Sequence, residues 1–237
     1  MRGHSNLRIC LAGLFAALLP ILLGGCASVS VKEDKWTQER LALPTRVYVK
    51  DYEVPPAVLD VDRTGAELEE FRQEKAKNFT AELCQRITAR IAPAVPLAAG
   101  VRPEKGSWIV EGRFLRVNQG SRLLRSLVGL GAGGTKMEAR TKVSVVGPRG
   151  AKREIAEIET TGGSNAEPGL LTFPTPIGGS IRAVVSLAKT GVTADQLRTA
   201  RMITAAMAEK LEAQGHKLRG KPEKVKRLET QVGGTQQ

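Results

Sequence analysis

The sequence predicts an α/β (α+β) fold: a single small domain with a mostly antiparallel or mixed sheet of about four strands packed by two main helices, set after a cleaved lipoprotein signal peptide. Three observations predict it. Residues 66–92 and 194–214 carry apolar side chains at helical spacing. Four stretches, one before the first helix and three between the two, read as strands, with the apolar-polar period of two clearest over Arg46–Tyr52 and Met137–Val145. The first 25 residues join a basic start, an apolar run and small residues before a cysteine, which is the order of a secretory signal.

Taken along the chain, the signal comes first. Arg2 and Arg8 stand without an acid, and the apolar run from Ile9 to Leu23 is broken only by Gly13 and Pro20. That run falls short of the roughly 20 residues of a comfortable membrane span. It closes on Leu22-Leu23-Gly24-Gly25-Cys26. Leu23, Gly24 and Gly25 ahead of Cys26 resemble the lipobox of bacterial lipoproteins, and the two glycines leave room for a peptidase and for lipid transfer to the thiol. The resemblance implies a mature chain beginning at Cys26, with a diacylglyceryl group on its thiol and fatty-acyl chains such as palmitate in the membrane. Each buried methylene contributes about 0.8 kcal/mol, so two or three chains hold firmly where one holds weakly. In Gram-negative sorting an Asp after the cysteine retains the protein in the inner membrane. Ala27 and Ser28 stand there instead, which implies a cell-envelope protein of the outer membrane facing the periplasm.

Removing residues 1–25 leaves 212 of the 237 residues, enough for one domain with a real core. The remaining elements follow in order. Residues 26–44 are polar and read as a lipidated tether, with room for a short strand, and the domain is expected over 45–214. Arg46 to Tyr52 alternates and reads as the first strand. The helix over 66–92 places Leu68, Phe71, Phe79, Leu83, Ile87 and Ile91 near one face; Thr64 is positioned to cap it and Pro93 stops it. Strands are expected over Trp108–Val117, Met137–Val145 and Lys152–Thr161, the last two joined by a turn at Pro148-Arg149-Gly150. In the second of these, Met137, Ala139, Thr141, Val143 and Val145 alternate with Glu138, Arg140, Lys142 and Ser144, giving one wet face. Residues 162–180 read as a Gly- and Pro-rich loop and Ile181–Lys189 as a short helix. The last helix turns Leu197, Ala200, Ile203, Met207 and Leu211 inward, and Gly215 ends it. Residues 215–237 read as a basic disordered tail.

Charge and cysteines narrow the function classes. The net charge is +12, of which Arg2 and Arg8 supply two, so the mature part carries +10. That surface suits an anionic envelope polymer or an acidic envelope protein; nucleic acid is not expected for an exported, lipid-anchored chain. Cys10 leaves with the signal and Cys26 carries lipid, so Cys84 is the one internal thiol and reads as a buried small hydrophobe. The mature chain has a single histidine, His216, so Ser-His-Asp machinery and histidine metal sites have no parts to work with. Gly129, Gly131 and Gly134 fit G-x-G-x-x-G, but a strand pattern follows them where a dinucleotide fold needs a helix. Asp60-Val61-Asp62 opens like a calcium loop, yet its twelfth position is Phe71 where the ion needs a bidentate Glu. No catalytic residue, metal or cofactor is expected.

One segment carries a family resemblance. Gly120-Ser121-Arg122-Leu123-Leu124-Arg125-Ser126-Leu127-Val128-Gly129-Leu130-Gly131-Ala132-Gly133 sets a basic residue and an apolar pair before an Arg and a glycine-alternating run. It resembles the signature of bacterial lipoproteins carrying the domain of unknown function 4410. The resemblance implies an envelope lipoprotein with an α/β domain, and it brings no catalytic residues. A looser likeness of layout is to curli-secretion-type envelope lipoproteins, whose domains oligomerise. The function expected is therefore a lipid-anchored, non-catalytic protein that binds or scaffolds an envelope partner. Arg122, Leu123, Leu124, Arg125, Gly129, Gly131 and Gly133 form the candidate interaction segment. Two alternatives stay open: an oligomeric assembly subunit of an envelope complex, built as a homo-oligomer around 120–134, and a carboxylate-dependent envelope hydrolase.

Overall fold

The computed structural model describes residues 28–120, 135–163 and 192–228. The signal peptide, the lipobox residues Leu23 to Cys26, the interaction segment from Arg122 to Gly133 and the expected helix at 181–189 lie outside the described residues. Within them the chain forms β1 (Ser28–Trp36), β2 (Val47–Val49), β3 (Leu59–Asp60), α1 (Gly65–Arg90), β4 (Ala94–Pro96), β5 (Trp108–Asn118), β6 (Lys136–Val146), β7 (Lys152–Gly163) and α2 (Val192–Ala213).

The strands make one mixed sheet of seven, in the order β1-β7-β6-β5-β2-β4, with β3 also paired to β5. The long strands β1, β7, β6 and β5 run antiparallel to their neighbours. The short ones, β2, β3 and β4, are all in parallel pairs. The fold class is the expected α+β, with seven strands where about four were expected. β2 lies within the strand expected over Arg46–Tyr52, while β3 and β4, which were not expected, span only two and three residues, too few for a period of two to register. The stretch expected as a tether is, from Ser28, a nine-residue edge strand. Its Val29 and Val31 enter the core, and its polar second half lies along an edge where side chains stay wet.

The two helices cover one face of the sheet. On α1 the buried positions recur every fourth residue, at Phe71, Lys75, Phe79, Leu83 and Ile87, and so form one stripe down the helix. Lys75 sits in that stripe with its ammonium 5.2 Å from the Phe71 ring centre and 3.2 Å from Glu74. Its methylene stem fills the core position while its head leans out. Thr64 holds the N-cap position in extended conformation, but its side chain makes no capping hydrogen bond. On α2 Ala200, Ile203, Met207 and Leu211 are fully buried, while Leu197 is only partly so. Gly215 ends this helix with φ +87°. Its amide donates to the Glu212 carbonyl and the His216 amide to the Leu211 carbonyl.

The centre of the core is aromatic. Phe79 of α1 meets the Tyr52 ring edge-on at 4.6 Å between centres and Phe114 of β5 at 5.0 Å. Tyr52 is wholly enclosed, and its hydroxyl shares a 2.7 Å hydrogen bond with the Thr141 hydroxyl of β6. Gly112 makes this possible, because a Cβ there would sit 2.6 Å from the Tyr52 ring.

The chain after Gly215, expected to be disordered, packs against the body as far as Leu228. Arg219 donates its amide to the Arg90 carbonyl, and the Arg90 guanidinium bonds Glu212 and the Arg219 carbonyl. Further on, Val225 is buried and residues 226–228 hydrogen-bond Val31 across the free edge of β1. Backbone pairing at an open edge does this, and it leaves little trace in composition. Phe79→Ala should remove the middle of the aromatic cluster and lower stability by about 3–5 kcal/mol, read as a shifted urea midpoint with an unchanged slope.

Candidate functional site

Strand alternation leaves the face opposite the helices wet. Lys142 and Arg140 of β6 stand on it, beside Glu154, Glu157 and Glu159 of β7 and Glu111 and Arg113 of β5. The register sets cations against acids: Arg140 pairs with Glu159 and Lys142 with Glu157. Arg140 Nε donates to Glu159 at 2.8 Å, and Lys32 of β1 reaches the other Glu159 oxygen at 3.3 Å. Glu159 thus ties β1 to β6 across β7. Lys142 bonds Glu154 at 2.9 Å and approaches Glu157 at 3.5 Å.

Between the outer part of β5 and the chain after β2 the face opens into a shallow depression of ≈ 310 Å³. Lys50, Asp51, Glu53, Glu111, Arg113, Arg140 and Lys142 line it. Arg113 and Arg140 face each other directly across the β5–β6 ladder. Like charges so placed repel, and each has an acid on its other side, Glu159 in register with Arg140 and Glu53 in register with Arg113. Lys50 pairs with Glu111 at 3.4 Å. The carboxylates here are exposed or matched to cations. Among the described residues no group of three His, Cys, Asp or Glu side chains is placed to hold a metal.

The electrostatics follow the pairing. Burial pushes the Glu159 carboxyl up, but the hydrogen bonds and charges of Arg140 and Lys32 outweigh it and hold it below the usual carboxylate range. Glu138 is likewise held low, against its burial, by Lys136 and the Thr161 hydroxyl. Glu154 raises Lys142, and Glu159 raises Arg140. At the other end of the face the Tyr48 hydroxyl donates to Glu104 at 2.6 Å, which raises the phenol and lowers the carboxyl. Cys84 lies on the helical side; burial, helped by the charge of Asp51, pushes its thiol up to about 11.

The sequence reading found the wet face of β6 but not the acid column on β7 that completes it. Glu154, Glu157 and Glu159 do not alternate evenly, because the register shifts between Val143 and Ser144 where β6 meets β7. None of the interaction residues chosen from the sequence lies among the described ones, so the face is a separate finding.

Residues 47–170 match the family described as domain of unknown function (DUF4410). The chain belongs to the DUF4410 family. The matched stretch takes in β2 to β7 and α1, and leaves β1 and α2 outside it. Two structures of PelC dodecamers from Paraburkholderia phytofirmans are similar at 12% identity, one of them a point variant. Each alignment covers 73% of this chain and 96% of that chain, with TM-scores of 0.33 for the variant and 0.35 for the other. No curated protein matches this DUF4410 chain in sequence.

Two measurements check the site. The folded protein holds the Glu159 proton less readily than the unfolded chain does. Its contribution is therefore complete above the unfolded carboxylate value of about 4.3 and is lost as pH falls through the lower folded value. Glu159→Gln should lower stability at neutral pH and flatten the acid limb of a urea-midpoint-against-pH curve, whereas Glu154→Gln, on an exposed pair, should change little. Cys84 should resist iodoacetamide in the folded protein at mildly alkaline pH and react fully once denatured, followed by mass spectrometry.

Proposed function

We propose that this DUF4410 chain is a lipid-anchored lipoprotein of the cell envelope, held in the outer membrane with its domain in the periplasm, that binds or scaffolds an envelope partner and catalyses no reaction. The observation that carries the reading is the run Leu23-Gly24-Gly25-Cys26 after a basic, apolar start. Ala27 and Ser28 after the cysteine support the outer-membrane destination. Among the described residues no helix is long and apolar enough to cross a membrane, and the lipid on Cys26 supplies the anchorage in this reading. The surface that meets the partner is the charged face of the sheet. Its rows of opposed ions offer an acidic protein or an anionic envelope polymer alternate cations, among them the exposed Arg113, which lies between Arg140 and Glu53 in the ladder.

Labelled fatty acid fed to expressing cells should appear on the wild-type protein and not on Cys26→Ser, and Cys26→Ser should move from the membrane pellet to the soluble fraction. Equal fractionation of the two proteins would overturn the anchor. For the partner surface, Arg113→Glu should reduce in-cell crosslinks from a photo-reactive residue at Lys50, while the same change at exposed Lys152 leaves them intact.

A further inference from the structure

The strand registers bring many chain positions to one end of the sheet. Ser28, the first residue of β1, pairs with Gly163, the last of β7. Gly162 pairs with Met137 at the start of β6, and Lys136 with Asn118 at the end of β5. Asn118 pairs in turn with Asp60, four residues before the Thr64 cap of α1. Asp195, in the first turn of α2, accepts a hydrogen bond from the Thr135 hydroxyl. Both helices therefore start at this end. The chain also leaves and re-enters the described fold there, at Gly120 and Thr135 and again at Gly163 and Val192.

The opposite end holds the turn at Pro148–Gly150, the loop at Lys105-Gly106 whose amide bonds Val146, and the close of both helices at Arg90 and Ala213. Along β5 the two ends lie about 30 Å apart at ~3.3 Å per residue.

Only Ala27 separates Cys26 from Ser28. Two residues span at most about 7 Å, so a lipid on Cys26 cannot sit far from the start of β1. Resting on the lipoprotein reading above, we infer that the domain docks end-on to the bilayer, with the Ser28, Asn118, Lys136 and Gly163 end against the headgroups and the Lys105 and Pro148–Gly150 end directed away. Lying on the β1 edge is opposed by what covers that edge. Residues 226–228 are bonded along it, and Arg227 there is tied to Asp34 and to Glu209 of α2. The consequence is that the charged face runs along the membrane normal, turned sideways to a partner in the periplasm.

The test uses the full-length lipidated protein in vesicles of phosphatidylethanolamine and phosphatidylglycerol carrying a headgroup spin label. A maleimide fluorophore is placed at the near end by Arg116→Cys or Asp62→Cys, and at the far end by Lys105→Cys or Lys152→Cys; all four side chains are exposed, and buried Cys84 is left in place. Quenching should be several-fold stronger at both near-end positions than at both far-end ones. A long Gly-Ser linker inserted between Ala27 and Ser28 should erase most of that difference. Equal quenching at the two ends overturns end-on docking, and so does a difference that survives the linker unchanged. Flotation with the vesicles, lost in Cys26→Ser, tells that failure apart from failure of the anchor: a wild-type protein that does not float, or a Cys26→Ser that does, removes both readings together.

Discussion

The close seating of Tyr52 on Gly112 is the contact on which the rest of the fold depends. One ring touches three elements at once. It lies on the bare backbone of β5, meets Phe79 of α1 edge-on, reaches Phe114, and bonds Thr141 of β6 through its hydroxyl. Tyr52 itself belongs to the chain that runs on from β2, where Lys50 and Glu53 donate backbone amides to Val110 and Gly112. A short parallel strand has little hydrogen bonding of its own to fix it. The ring supplies what β2 lacks, a large apolar surface with one satisfied polar tip. Burial holds the phenol above its ordinary range, so the hydroxyl stays neutral and remains a hydrogen-bonding group in an otherwise apolar place.

That core is built from one side only, and the other side inherits its character from the same alternation. Each residue that turns inward on β6, from Met137 to Val143, obliges its neighbour to face water. The outward row on β6 is mainly basic and the row on β7 acidic, so the uncovered face satisfies its own charges and resists collapse onto another sheet. Exposed pairs of this kind contribute little each. Glu159 differs because its side chain is only 10% exposed and it answers two cations from two strands. Arg113, across β6 from Glu159, stands between another cation, Arg140, and the acid Glu53.

Periodicity made the long elements legible. α1 and α2 show their stripes over more than five turns, β6 alternates over most of its eleven residues, and β5 and β7 are at least as long. What escaped notice depends on backbone partners. β3 and β4 are too short to carry a pattern, β1 turns polar after Val31, and residues 226–228 are held mainly by main-chain bonds that any side chains permit. Lys75 defeated the stripe for a different reason: its stem is apolar although its name is not. On the candidate face, single-strand alternation revealed Arg140 and Lys142, but which acids oppose them depends on register, and a bulge between β6 and β7 resets that register.

The family match adds a division of labour within the domain. The matched stretch contains the aromatic centre, α1 and most of the sheet, while β1 and α2 lie on either side of it in sequence and come together in space. α2 packs on β1, β6 and β7, and α1 covers β2 and β4. The two helices divide the sheet between them, and Arg90 bonded to Glu212 joins them where both end. Ile158, Val143 and Ala156 of β6 and β7 lie in the same buried cluster as Val29 and Val31 of β1 and Ala200, Ile203 and Met207 of α2. The strand that begins two residues after Cys26 therefore does two things. Its inward valines close the half of the core that the matched stretch leaves open, and its first residue stands two positions after Cys26. In the lipoprotein proposed above, the anchor would therefore be joined to a core strand, and the wet face would keep one bearing relative to it for as long as β1 stays paired.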